Sequence, residues 1–220
     1  MAKGFRKRGK PTMDVTRRMV LQGGLLTLAS TLPAVSGAVS VAPTWPSSLV
    51  EAARAQIGVT TRYDPTYVKL AYPGGDVAPD RGICTDVVIR AYRRAFGLDL
   101  QKLLHEDMKD NFSAYPKAWG MKAPDPNIDH RRVPNLAVYF VRRKAALPLQ
   151  DDFAAYRPGD LVTQMLPGNL THIVIVSSKT STEVPGRPLV IQNIGAGASE
   201  DDTLFAYQRT GHYRFAPSAA

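Results

Sequence analysis

The chain has 220 residues, a single cysteine and a formal net charge of +9 at pH 7. This length can bury the core of one domain, and one cysteine excludes an intramolecular disulfide and any multi-cysteine zinc site. Seven basic residues and one acidic residue lie within residues 1–38, so the remainder carries a net charge of only +3. The overall basicity is therefore not evidence for nucleic-acid binding, and we expect no nucleic-acid partner.

Residues 1–38 have the pattern of an export signal. A basic run reaches Arg17 and Arg18, a weakly apolar stretch with two glycines follows, and small residues end the segment at Ala38. The arginine pair before such a stretch is typical of a twin-arginine signal, and the stretch is short for a membrane span. We expect cleavage after Ala38, or alternatively after Ala42, and a periplasmic or otherwise extracytoplasmic protein without stable membrane insertion. An uncleaved amphipathic anchor is the alternative.

Residues 39–220 are predicted to form a single domain that begins with helices. Apolar residues at helical spacing predict a helix of about three turns that starts near Cys84 and stops at Gly97. Asn135 is predicted to cap a later helix. The other predicted helices cover residues 45–57, 98–108 and, after Asn135, 136–144.

The last third of the chain changes to the pattern of strands. β-branched runs bounded by Pro-Gly, Gly-Asn and Gly-containing turns predict strands over residues 161–164, 171–176, 189–194 and 212–215. Gly195 and Gly197 are predicted to end the third strand, and residues 203–207 to form a helical turn. Helices followed by an antiparallel meander predict an α+β domain.

Cys84 is the candidate nucleophile. It lies at the predicted helix start, where free backbone N–H groups and the helix dipole are expected to lower a thiol's pKa. A thiolate is the reactive form in cysteine chemistry. The alternative is a small buried apolar residue.

His172 is the candidate base because it opens a buried strand next to a turn. If the strands containing His172 and Gln192 pair, Gln192 can accept a hydrogen bond from the imidazole and hold the tautomer that faces Cys84. Asn193 competes for this role, although strand alternation sends it to the opposite face.

The chain resembles the bacterial family labelled domain of unknown function 1287, over nearly all of the mature part. More distantly it is similar to the NlpC-type cell-wall peptidases of the papain-like superfamily. The residues that carry the resemblance are Tyr63-Asp64-Pro65, Tyr72-Pro73-Gly74-Gly75-Asp76, Gly82-Ile83-Cys84-Thr85-Asp86, the run from Asn127 to Leu136, Pro158-Gly159-Asp160, His172, Asn193-Ile194-Gly195 and Gly211-His212-Tyr213-Arg214.

This resemblance implies a papain-like, NlpC-like fold in which the nucleophile helix packs on an antiparallel sheet. It implies Cys84 as nucleophile, His172 as base and a third position, often His in the superfamily, at Gln192. It also places Tyr63 where a tyrosine lines such sites. Asp86 stands where the superfamily commonly has Ser-Gly, which predicts a different local turn. The implied substrate is an amide bond in peptidoglycan.

The segment Asp129-His130-Arg131-Arg132 has two interpretations. The guanidinium groups of Arg131 and Arg132 could clamp a substrate carboxylate, and with Tyr63 and Asp86 they form our predicted substrate-binding set. Alternatively they form an internal network with Asp129 or Asp86. The four histidines include no His-x-x-x-His pair, so we expect neither a metal nor a cofactor.

Together these features predict an exported cysteine hydrolase that cleaves an amide or peptide bond of the bacterial cell envelope, in peptidoglycan stem peptides. Its expected partners are peptidoglycan or its peptide fragments, and we expect a monomer. The alternatives are a Cys–His acyltransferase and a non-catalytic envelope-binding module on a peptidase-like fold.

Overall fold

The computed structural model describes residues 44–217, and the predicted export signal and its cleavage sites lie outside them. Four α-helices are present in this part of the chain, as predicted, with bounds shifted by a few residues. They are α1 (Trp45–Arg54), α2 (Cys84–Phe96), α3 (Leu100–Asn111) and α4 (Val133–Arg142).

The strands form two sheets. A two-stranded parallel sheet pairs β1 (Arg62–Tyr63) with β2 (Arg81–Gly82). The other strands form an antiparallel six-stranded sheet in the order β3-β8-β4-β5-β6-β7. They are β3 (Ala146–Leu147), β4 (Leu161–Leu166), β5 (Leu170–Thr180), β6 (Pro188–Asn193), β7 (Ala198–Asp201) and β8 (Gln208–Tyr213). The predicted α+β class with an antiparallel sheet is confirmed.

The central strands β4, β5 and β6 contribute residues to a core on each face of the sheet, which is why they contain apolar runs. The residues Leu161, Ile173, Ile175 and Ile191 share one core with the four helices. On the opposite face, a smaller core contains Tyr156, Val162, Val174, Val176, Val190 and Leu204. Alternate residues of β5 therefore pack into different cores, and this alternation fixes which side chains can face α2.

Helix α2 follows the predicted pattern. Its buried face carries Val87, Val88 and Ala91, and the helix ends at Gly97 in the left-handed conformation with φ of 65°, which glycine adopts without a steric penalty. Asn135 does not cap α4 as predicted. It lies inside the helix, where its Nδ2 donates to the carbonyl oxygen of Asp129 at 3.1 Å. Arg132 is the N-cap instead, and Pro134 lies in the first turn.

The predicted end of the third strand is confirmed, because β6 stops at Asn193 and Gly195 and Gly197 follow with positive φ. These glycines turn the chain into β7, which the sequence analysis did not predict and which pairs with β6 from Asn193–Ala198 to Val190–Asp201. The last strand does not extend the meander at that edge. It returns to pair with β4. Among residues 44–217, no helix has the length and apolarity needed to cross a bilayer.

Candidate functional site

Cys84 is the first residue of α2, as the sequence predicts. Ile83 before it is extended, with φ of −119° and ψ of −177°. Its backbone N–H donates to Oδ2 of Asp86 at 2.7 Å, so the third helical residue caps the helix start. The carboxylate of Asp86 therefore stabilises the turn that presents the cysteine.

The sulfur of Cys84 lies in a closed environment. The side chain is only 2% exposed, and it packs in the same core as Ile173 of β5. Burial raises the pKa of the thiol to about 11 against the lowering effect of the backbone N–H groups of Ile173, Thr85 and Cys84, and the negative charge of Asp86 adds to the rise. The predicted lowering of this pKa is therefore wrong, because the loss of hydration outweighs the N–H groups at the helix start.

Strand β5 approaches Cys84 at the end where it separates from β6. The ladder between these strands starts at Ile175–Ile191, so neither His172 nor Ile173 has a β6 partner in it. Ile173 packs in the same core as Cys84. Alternation gives His172 the orientation of Val174, on the face away from α2.

The predicted contact between His172 and Gln192 is present. Nε2 of the imidazole lies 2.6 Å from Oε1 of Gln192, and both side chains are buried. An amide oxygen only accepts hydrogen bonds, so this geometry assigns the proton to Nε2 and leaves the lone pair on Nδ1. Burial lowers the pKa of His172, against the raising effects of Gln192 and the Asp201 charge, which favours the neutral imidazole.

Asn193 does not share this position. Its Nδ2 donates to the carbonyl oxygen of Gly82 at 3.0 Å and to that of Arg62 at 3.4 Å. It therefore links the end of β6 to β2, just before the cysteine turn. Of the two alternatives for orienting His172, the structure brings only Gln192 into contact with the imidazole.

Two of the predicted substrate-binding residues form an internal ion pair. Nε and Nη2 of Arg131 each lie 3.0 Å from a carboxylate oxygen of Asp86, and the two side chains are 1% and 5% exposed. The remaining donors of Arg131 bind the carbonyl oxygens of Thr66 and Asp64 at 3.1 and 3.0 Å. This geometry favours the alternative of an internal network for Asp86 and Arg131.

Arg132 also follows the internal alternative, because it pairs with Asp129 at 3.1 Å and the two side chains are 17% and 1% exposed. Its guanidinium lies 4.2 Å from the ring centre of Trp119. Burial raises the pKa of Asp129 to about 6. Tyr63 is 40% exposed. Its pKa is raised to about 12, by burial first and then by the negative charges of Cys84 and Asp86.

A cavity of about 490 Å³ lies at this end of the sheet. Its walls are aromatic, apolar or uncharged polar apart from the titratable His172 and Tyr63, and none is Asp, Glu, Lys or Arg. They are Tyr63, Ala118, Trp119, Pro134, Leu166, Asn169, Leu170, Thr171, His172 and Ile194. Two predicted site residues, Tyr63 and His172, therefore line the same cavity as apolar residues such as Trp119 and Ile194, which the sequence analysis did not single out.

Asp201 and Thr203 are site residues that sequence reasoning missed. Nε2 of Gln192 donates to Oδ1 of Asp201 at 2.8 Å and to Oγ1 of Thr203 at 2.7 Å. No alternation in the sequence signalled this strand, because all of residues 199–203 are polar. From the sequence, residues 203–207 are predicted to form a helical turn, with no strand between Gly197 and that turn.

Comparison with known proteins places the chain in a family. The family described as "Domain of unknown function (DUF1287)" matches residues 50–215. The chain belongs to this family. It is also 52% identical, over 168 residues, to "Uncharacterized protein YijF" of Escherichia coli (strain K12), covering 76% of this chain and 80% of that relative. No solved structure matches it.

The family match covers every site residue described above. Cys84, His172, Gln192 and Asp201 all lie between residues 50 and 215. The family's description states no activity, so the chemistry must be argued from the arrangement of these side chains.

Proposed function

We propose that this member of the DUF1287 family is an exported cysteine hydrolase with an NlpC-like, papain-like arrangement of its site. One observation carries the proposal. Cys84 packs in the same core as Ile173, and the residue next to Ile173, His172, has Nε2 occupied by Gln192. This contact leaves Nδ1 of His172 as the nitrogen available to act as a base.

The pair starts the reaction in its neutral form. The pKa of Cys84 is raised to about 11 and that of His172 is lowered, so a thiol and an imidazole, not an ion pair, are present near pH 7. As the sulfur attacks the carbonyl carbon of an amide, the thiol proton passes to Nδ1 of His172. The imidazolium that forms keeps its Nε2–H bond to Gln192.

The remaining steps return both groups to their starting state. The tetrahedral oxyanion would be stabilised by N–H groups at the start of α2, whose dipole favours negative charge. Collapse breaks the C–N bond, and His172 gives its proton to the departing amine, which leaves a thioester on Cys84. His172 then takes a proton from water, and the hydroxide attacks the thioester. Collapse breaks the C–S bond, the carboxylic acid product leaves, and His172 returns the proton to the sulfur of Cys84.

The proposed substrate is an amide bond of the bacterial cell envelope, in peptidoglycan stem peptides. The predicted export signal supports this compartment, and the resemblance to cell-wall peptidases supports the bond. The cavity that His172 lines contains no Asp, Glu, Lys or Arg in its walls. The group that enters it is therefore expected to be uncharged, such as an alanyl side chain, with the carboxylates of the stem peptide outside.

A non-catalytic envelope-binding module is the second candidate. It is favoured by the burial of Cys84, which is 2% exposed, and by the orientation of His172 away from α2. In such a module Cys84 would serve packing alone, and the cavity would bind an envelope fragment without cleaving it.

The test is digestion of purified peptidoglycan by residues 39–220, with the products separated and weighed by mass spectrometry. We expect new carboxyl termini with the wild-type protein and none with Cys84→Ala or His172→Ala. His105→Gln, which removes a buried histidine outside the cavity, is the matched control and should retain cleavage.

The outcomes separate the candidates. Cleavage that survives Cys84→Ala would refute the cysteine mechanism. Cosedimentation with peptidoglycan without any product would support the binding module. Added amine acceptors test the acyltransferase alternative, because transfer gives a new amide in place of the free acid.

A further inference from the structure

A chain of polar side chains continues from His172 across three strands. His172 on β5 contacts Gln192 on β6, and Gln192 donates to Asp201 on β7 at 2.8 Å. The hydroxyl of Thr203 accepts from Gln192 at 2.7 Å and donates to Oδ1 of Asp201 at 2.6 Å. Ser199 donates to the other carboxylate oxygen of Asp201 at 2.8 Å. The carboxylate is thus held from both sides.

The direction of each hydrogen bond in this chain follows from Asp201. An ionised carboxylate can only accept, so the atom of Gln192 that faces Asp201 must be the amide nitrogen. The amide oxygen then faces His172, and the facing ring nitrogen, Nε2, must carry the proton. If the amide were flipped, Nε2 would have to accept and the proton would move to Nδ1, the nitrogen needed as a base.

We propose that Asp201 is a positioning residue that selects the tautomer of His172 through the side-chain amide of Gln192. The consequence for catalysis rests on the hydrolase function proposed above, whereas the tautomer itself does not. Gln192 is a passive link in this scheme, since an amide group can present either end. The carboxylate on β7 supplies the preference.

The other groups near His172 do not set its preference for the Nε2–H tautomer. From α2 the Cys84 thiol packs in the same core as the neighbouring Ile173, and from β1 Tyr63 shares the cavity. Neither of them is hydrogen-bonded to Gln192 in the part of the chain that the structure describes. Asp201 is the charged group that acts on the pKa of His172, and it raises that pKa. Replacing the carboxylate with a neutral group should therefore lower the pKa of His172.

The direct test is ¹⁵N NMR of the His172 ring in residues 39–220, because the two nitrogens of each tautomer have distinct shifts. We expect the Nε2–H tautomer in the wild type and a mixture with Nδ1–H in Asp201→Leu. Hydrolysis by that variant should fall about tenfold or more in kcat/KM. Asp202→Leu is the matched control, since Asp202 pairs with Arg187 instead, and it should keep the wild-type tautomer.

Asp201→Asn provides a second test if the leucine variant does not fold. Asparagine can still present an oxygen to Gln192, so the tautomer should be retained, while loss of the charge should lower the pKa of His172 in the NMR titration. The proposal is overturned if Asp201→Leu keeps pure Nε2–H, if Asp202→Leu shifts equally, or if Asp201→Asn leaves the titration unchanged. A wild type that cleaves nothing would refute only the hydrolase, because the tautomer is measured independently.

Discussion

Replacing Arg131 with leucine should strongly destabilise the protein, because its guanidinium is the partner of a buried carboxylate. Two of its nitrogens bind Asp86, each at 3.0 Å, and the side chains are 1% and 5% exposed. The same guanidinium holds the carbonyl oxygens of Thr66 and Asp64. The substitution thus leaves one buried negative charge and two carbonyl groups without these donors.

The magnitude follows from this burial. Removing one partner of a buried ion pair costs about 3–5 kcal/mol. With a denaturant slope of about 2 kcal/mol per molar urea for a domain of this size, the unfolding midpoint should fall by about 1.5–2.5 M. Removing both charges, with Asp86→Leu added, should recover part of the loss, because no unpaired buried charge remains.

The assay is urea unfolding of residues 39–220 followed by far-ultraviolet circular dichroism. Arg62→Leu is the matched control. Arg62 is paired with Asp80 at the surface, with side chains 57% and 47% exposed, so its loss should barely move the midpoint. A fall of less than about 0.5 M for Arg131→Leu, together with weakened substrate binding, would refute the internal network and support the carboxylate clamp.

Three further predictions concern the thiol, a buried histidine and a turn. Alkylation of Cys84, followed by mass spectrometry, should be slow at neutral pH, and its rate should rise as the pH approaches the thiol pKa of about 11. A rate that already rises below the ~8.5 of a free thiol would instead show that a thiolate–imidazolium pair is present before substrate binds. The pKa of His130 is lowered from 6.5 to about 3, mainly by burial. As the pH is lowered, His130 therefore takes up a proton in the unfolded chain before it does so in the folded protein. The free energy of unfolding should decrease by up to about 5 kcal/mol as the pH falls from 6.5 to about 3. His130→Phe should flatten that slope in urea melts, and an unchanged slope would contradict the assignment. Gly197→Ala should destabilise far more than Gly168→Ala in thermal melts, although both have positive φ, because only at Gly197 would a Cβ lie 2.5 Å from the carbonyl oxygen of Thr60. Equal losses would show that the close approach is relieved without cost.

The helix start at Cys84 and the stop at Gly97 were predictable because their causes are local. A turn precedes the cysteine, apolar residues follow at helical spacing, and glycine adopts the left-handed conformation that ends the helix. Strand β7 was not predictable in the same way. Gly195 and Gly197 have positive φ, and positive φ serves equally well to end a sheet or to turn the chain into its next strand.

The contact between His172 and Gln192 was predictable from strand alternation, whereas the state of Cys84 was not. A helix start lowers the pKa of a thiol only if the thiol keeps some contact with solvent or charge. Here the sulfur packs against β5, and burial reverses the sign of the shift. Burial depends on how α2 packs against the sheet, and no local pattern reports that packing.

The sequence by itself determined the α+β class, the helix that begins at Cys84 and the amide that faces His172, because each depends on periodicity or on neighbours along the chain. Only the tertiary structure decided which ionic groups are internal and where β8 pairs. It also decided that the carboxylate of Asp201 stands behind Gln192. These contacts join residues that are distant in the chain or separated by a turn whose direction is ambiguous. They follow from burial and charge pairing in three dimensions.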